Sequence, residues 1–401
     1  MKVALISVLL IANLFFSASS IASEKFSLSA RVGQQVTKAF ELYELGNIDK
    51  TLAVIEKIRP RSAFDKAYIK RFQGNLYWEK GDEKRALQSL HIAVNEHALS
   101  DHEQSQSERM LADLYLNQKQ TDNAIKLYKT LIQKVPSEDL YKHLALAYYQ
   151  KKSWNNLVDA TSNGIKLSAE FNQSIHILQL SALFELKDYK KANKTLVKLT
   201  EHDAKTKRWW MQLASTYQIL KQDKKALATY EQAYQLGFLE NKSEIKRLAN
   251  FRASLGAPYQ AALLLESSIN SGKLAADSKN YQQLAQFWQV AREYDKAQQY
   301  WGRSADLNGD AQNYFTQAQL LQLLGRHEQM LTVLASIKAD DQALQGKVAI
   351  TQVQGLFALK KYQQAKQIAE QLIDNPDNKD RALQWVKLLE SREADAQQFA
   401  I

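Results

Sequence analysis

The chain has 401 residues, 45% of them hydrophobic and 24% charged, with 13 Gly, 4 Pro and no Cys. That much apolar sequence buries a sizeable core and excludes a disordered protein, while so few Gly and Pro argue against an all-β sandwich. Without Cys there are no disulfides, thiolate zinc sites, iron–sulfur clusters or cysteine nucleophiles, and the formal net charge of +10 contains no block of five or six like charges, so no nucleic-acid partner is expected.

The N-terminus sets the expected compartment. Met1-Lys2 give a positive start, Val3–Phe16 is an apolar run of 14, and Ser17–Ala22 ends in small residues. This is the layout of an export signal over residues 1–22, and the run is shorter than the ~20 residues of a spanning helix. Cleavage after Ala22 leaves Ser23 first, which excludes a lipid anchor. The expectation is a periplasmic protein with no integral membrane segment after cleavage.

From there a repeat runs the length of the chain. A short polar turn followed by a helix whose first inward residue is small recurs at Gly81–Leu87, Asp188–Ala192, Gln222–Leu227, Arg292–Ala297 and Lys360–Ala365. Marking that position gives Thr51, Ala86, Ala124, Leu157, Ala192, Ala226, Ala261, Ala297, Met330 and Ala365, with successive spacings between 33 and 38. Twelve residues before the marker a second small residue follows a large apolar one and precedes an aromatic. Leu111-Ala112…Tyr115, Leu144-Ala145…Tyr148, Leu213-Ala214…Tyr217 and Leu284-Ala285…Trp288 all show it, as does Gly74 in Gly74–Asp82. Small residues let two antiparallel helices approach, and the aromatics fill the gap to the next pair.

A period near ~34 residues with these positions resembles the tetratricopeptide repeat. The resemblance implies an all-α, right-handed superhelical solenoid of about ten helix-turn-helix repeats over residues 23–378. A C-terminal capping helix follows in 379–401, centred on Asp380–Glu393 and amphipathic through Leu383, Trp385, Val386 and Leu389. No Gly-, Ser- or Pro-rich linker divides the chain, so one continuous solenoid is expected. Thr51, Leu157 and Met330 replace the small marker, which predicts looser packing there. A polar insert is expected around His97–Ser107, and the pattern weakens near Gly164–Ser174.

No enzyme signature is present: no H-E-x-x-H, phosphate-binding or dinucleotide-binding glycine motif and no nucleophile elbow. No catalytic residue, cofactor or metal site is therefore assigned. The seven His read as scattered surface residues, and Trp210, Trp288 and Trp301 fall in core registers.

In tetratricopeptide arrays the first helix of each pair lines a groove. By resemblance, the groove positions are Arg71, Asn75 and Trp78, then Arg109, Asp113 and Leu116, then Lys142, Leu146 and Tyr149. Arg or Lys followed by Asn resembles a clamp for the end of a peptide, with Asp113 standing where such a clamp takes Asn. The implied partner is an acidic or extended protein segment, held by Arg71, Asn75, Trp78, Arg109, Asp113, Lys142 and Tyr149. The Gln-rich later half (Gln282, Gln286, Gln289, Gln319, Gln322, Gln354) suggests weaker, polar contact.

Arg31-Val32-Gly33, Ala39–Tyr43, Phe64–Tyr68 and Arg71–Tyr77 make the chain similar to periplasmic tetratricopeptide proteins associated with TonB-type energy-transduction systems of gammaproteobacteria. That likeness implies an accessory scaffold for a TonB–ExbB–ExbD complex in iron or haem uptake. The alternative is a helper of cell-wall or polysaccharide-export machinery.

Overall fold

Each first helix of the repeat stops where the chain turns left-handed. Seven residues after its small position, which Leu180 and Val353 fill in two of the pairs, the backbone takes a positive φ, at Gly46, Gly81, Lys119, Lys152, Lys187, Lys221, Gly256, Arg292, Gly325 and Lys360. The next residue's N–H then reaches back across the turn: Asp82 N to Tyr77 O and Ser153 N to Tyr148 O at 2.8 Å, Glu293 N to Trp288 O at 2.9 Å. This closure satisfies carbonyls that the helix end would leave bare. Glycine adopts the geometry freely; the Lys and Arg residues do so against a steric cost of ~1–2 kcal/mol each.

The computed structural model describes residues 26–338 and 341–398, without the side chains of 393–398. The export signal expected at 1–22 lies outside the described residues. Those residues form 21 α-helices and no strand, an all-α repeat solenoid. The chain divides into two compact units, one ending at His202 and one starting at Asp203.

The first unit holds five pairs: α1 (Ala30–Glu44) with α2 (Ile48–Ile55), α3 (Ala63–Glu79) with α4 (Glu83–Asn95), α5 (Asp101–Asn117) with α6 (Thr121–Lys134), α7 (Glu138–Gln150) with α8 (Trp154–Leu167), and α9 (Gln173–Glu185) with α10 (Tyr189–His202). The second holds α11 (Lys207–Ile219) with α12 (Asp223–Gln235), α13 (Lys242–Ser254) with α14 (Pro258–Asn270), α15 (Ser278–Val290) with α16 (Tyr294–Asn308), α17 (Ala311–Leu323) with α18 (His327–Ala335), α19 (Gln342–Ala358) with α20 (Tyr362–Gln371), and then α21 (Lys379–Gln398).

The small residues sit where the helices touch. Ala39, Ala112, Ala145, Ala214, Ala249, Ala285 and Ala318 on first helices are fully buried, as are Ala86, Ala124, Ala192, Ala226, Ala261, Ala297 and Ala365 on second helices. At Gly74 a Cβ would meet Leu90 Cγ at 2.5 Å, so only glycine lets α3 and α4 close to this distance. Thr51, Leu157 and Met330 are fully buried too, so burial there is as complete as at the alanines. The terminal methyl of Met330 occupies the space left by the missing Cβ of Gly355, 2.1 Å from where that atom would stand. Bulk at one marker is matched by its absence on the next first helix.

Other local expectations are revised. Most of the polar stretch His97–Ser107 is the start of α5, opened by a capping box in which Ser100 and Glu103 exchange hydrogen bonds. The weak pattern at Gly164 marks close packing, because Ile175 Cδ1 fills the place of its Cβ at 2.5 Å. The final helix α21 packs Leu389, Trp385 and Val386 against α19 and α20, whereas Leu383 is exposed and Ala382 is the buried neighbour. Trp288 and Trp301 are buried, but Trp209 is the buried member of its pair. Trp210 is half-buried and donates its Nε1–H to Ala204 O at 2.9 Å. His176 is buried as well, stacked on Phe171 with ring centroids 4.3 Å apart.

Candidate functional site

The residues expected to line a groove all stand on first helices, and two cations tie neighbouring first helices together. Arg71, on α3, is only 8% exposed. Its Nη1 donates to Glu103 Oε1 at 2.9 Å and its Nη2 to Gln106 Oε1 at 2.7 Å, both on α5. Arg71 is therefore a brace between α3 and α5, not the open cation that the register alone implies. The two oriented acceptors offset the lost hydration of both Nη groups, while the buried Nε–H has no hydrogen-bond partner among the described residues.

Arg109 does the same one repeat on. Its Nε donates to Asp113 Oδ1 at 3.1 Å within α5, and its Nη2 to Asp139 Oδ2 at 2.6 Å on α7. His143 Nδ1 lies 2.9 Å from the same Nη2, and Lys142 Nζ is 3.1 Å from Asp139 Oδ1. Asp113 also accepts the Tyr128 hydroxyl at 2.5 Å. That contact explains Asp where a peptide clamp would take Asn: two donors converge on this carboxylate from inside the protein. Burial, reinforced by the Asp113 charge and hydrogen bond, pushes the Tyr128 hydroxyl well above its ordinary range. Burial alone would raise the Asp139 carboxyl, but the hydrogen bond from Arg109 and the nearby His143 hold it below its usual value.

The remaining members are not drawn into this network. Asn75 is half-buried, and its Oδ1 has no hydrogen-bond partner among the described residues. Trp78 is half-buried against the core. Tyr149 is 46% exposed and meets Trp154 edge-on at 5.7 Å. Leu116 is buried and offers no contact surface.

Sequence reasoning missed Glu103, Gln106, Asp139 and His143. A usable signal exists: each acid follows its arginine by slightly less than one repeat, so the two stand on the same face of adjacent first helices. It also missed an exposed aliphatic row in the second unit. Five residues after the small position, Ile219, Val290 and Leu323 are 51%, 67% and 64% exposed. Amides brace the helices there: Gln283 Nε2 donates to Asn250 Oδ1 at 2.7 Å and Gln322 Nε2 to Gln354 Oε1 at 2.9 Å.

Two segments of the chain match tetratricopeptide repeat families: residues 109–137, across α5 and α6, and residues 208–236, across α11 and α12. These helix pairs are tetratricopeptide repeats. Among solved structures, the chain is similar to a tetratricopeptide repeat protein from Parabacteroides merdae, at 13% identity and a TM-score of 0.38, covering 74% of this chain and 99% of that one. It is similar to the C-terminal part of a tetratricopeptide repeat-containing protein from Cytophaga hutchinsonii, at 17% identity and a TM-score of 0.39, covering 68% and 95%. A third likeness is to MamA, residues 41 to the end, from Desulfovibrio magneticus, at 15% identity and a TM-score of 0.37, covering 44% and 96%. No curated protein matches the chain. Tetratricopeptide repeats are protein–protein interaction scaffolds, and among the described residues no helix is long and apolar enough to cross a membrane.

Proposed function

We propose that this tetratricopeptide chain is a scaffold that holds an extended protein segment along its first helices. The observation that carries the reading is the set Ile219, Val290 and Leu323, apolar side chains left in solvent at one register position in three of the second unit's five repeats. Exposed apolar area beside amide groups suits a segment that brings its own apolar side chains and unpaired backbone groups. In the first unit, Asn75, Trp78, Lys142 and Tyr149 are the members of the expected strip suited to contact, while Arg71, Arg109 and Asp113 act by holding their helices in place. Because both arginines already face carboxylates, the arrangement favours a partner selected by shape and apolar contact over one selected by acidity.

The finer reading places the chain in the periplasm as an accessory of a TonB–ExbB–ExbD system serving iron or haem uptake. Its support is the sequence likeness at Arg31–Gly33, Ala39–Tyr43, Phe64–Tyr68 and Arg71–Tyr77 together with the N-terminal layout. Affinity capture of the intact chain from cells tests it. Recovery of TonB, ExbB or ExbD, reduced at least tenfold by Val290→Asp with Leu323→Asp, is the expected result. Recovery of cell-wall synthases or polysaccharide-export proteins in their place would assign the scaffold to that machinery.

A further inference from the structure

Helix α10 carries a charge pattern that the interaction face does not use. Lys190, Lys191, Lys194 and Lys198 are all exposed, and Lys187 extends the row into the preceding turn. Glu201 is the only acid within the helix. Lys191 pairs with Asp188 at 3.1 Å, and the others form no ion pair among the described residues. The opposite side of α10 is spent on the core, where Ala192, Leu196 and Leu199 are fully buried.

This pattern is not the ordinary solvated face of the repeat. With four lysines α10 has the most of any second helix: α6 has three, α8 only Lys166, and α14 and α18 have neither Lys nor Arg. It also works against the helix itself. Lys190, Lys194 and Lys198 follow each other at i, i+4 spacing, where like charges repel, and Lys190 and Lys191 sit at the positive end of the helix dipole.

We propose that the lysine face of α10 docks the protein on an anionic lipid surface. Lysine is depleted at protein–protein interfaces, which rely on Trp, Tyr and Arg anchors; the one such residue beside these lysines, Tyr189, is half-buried with its ring edge-on to Phe184. A headgroup layer asks only for a cluster of cations, each lysine near the surface strengthening attachment about fivefold. Since the apolar side of α10 stays in the core, attachment is peripheral and purely electrostatic. It is independent of the partner held by the first helices.

Co-sedimentation of the full-length protein with vesicles tests this, using phosphatidylcholine alone and phosphatidylcholine with 30% phosphatidylglycerol, in 50 and 500 mM NaCl. The wild type is expected to sediment with the anionic vesicles at low salt and to be released at high salt. Lys190→Gln, Lys194→Gln and Lys198→Gln together should weaken partition roughly a hundredfold without lowering the thermal midpoint. Lys126→Gln, Lys129→Gln and Lys166→Gln, an equal change in net charge, should leave most of it. Equal loss in both triple variants, equal sedimentation with neutral vesicles, or no sedimentation would overturn the proposal. Tighter binding to polyglutamate than to the vesicles at the same salt would overturn it in favour of an acidic protein.

Discussion

The two units use one repeat geometry and fasten it differently. In the first, charged side chains tie first helix to first helix, Arg71 to Glu103 and Arg109 to Asp139. In the second, Lys207 pairs with Glu244 at the start, and from α13 onward the ties are amides. The position five residues after the small one is polar in every pair of the first unit (Glu44, Glu79, Asn117, Gln150, Glu185). In the second it reads Ile219, Ser254, Val290, Leu323 and Ala358. The turn and the small-residue contact are thus common to both, while the first-helix face is free to differ. Stability should depend on the shared features and recognition on the ones that differ.

The largest effect tests what is shared. Ala124→Arg and Ala226→Arg each force a charge into a fully buried helix contact and should each cost ~3–5 kcal/mol. Chemical denaturation checks the size. In hydrogen exchange the loss of protection should stay near the altered repeat, because repeats contact their neighbours. A cost confined to one unit's variant would mean that the contact is not equivalent in the two.

Next comes the glycine contact. Gly74→Ala sets a methyl 2.5 Å from Leu90 Cγ, a branch point with little room to move, and should cost ~1–3 kcal/mol. Gly355→Ala clashes with the flexible end of Met330 and makes ordinary contact with Leu331, and should cost less in the same assay.

The braces should separate the units more sharply. Arg109→Ala removes the tie to Asp139 and one donor to Asp113, and should cost ~1 kcal/mol, less at high salt. Gln322→Ala should cost less and be indifferent to salt. Asp139 titrates below the usual carboxylate value, so its stabilising contribution is complete above that value and disappears as pH falls through its lowered one. A Tm profile in acid should therefore flatten in Arg109→Ala. His176 is held neutral chiefly by burial. Its contribution is lost as pH falls below the ordinary histidine value of about 6.5, and His176→Phe should remove that step. The smallest effect is a gain: Lys152→Gly relieves a left-handed residue at φ 55° and should raise stability by ~0.5–1 kcal/mol in the same denaturation assay.

How much of this was legible follows from the range of each constraint. Helix pairing, the period and the buried alanines are local requirements, so they appear as residues at fixed offsets. The first-helix ties join residues about one repeat apart, so Glu103 is found only by comparing the same face of consecutive first helices and not from the neighbours of Arg71. Register placed Trp210 in the core, but the loop entering α11 supplies Ala204 O to its indole and leaves Trp209 to be buried. The matched pair Met330 and Gly355 was read from one partner alone, which is why looser packing was expected where a complementary fit exists.

The central claim is that the first-helix face holds a protein segment. Its most direct test is a photo-crosslinking side chain placed, one position at a time, at Tyr149, Val290 and Leu323 on first helices and at Leu263 on α14, all exposed. The account predicts one shared protein adduct from the three first-helix positions and none from Leu263. An adduct from Leu263 with none from the first-helix positions would contradict it.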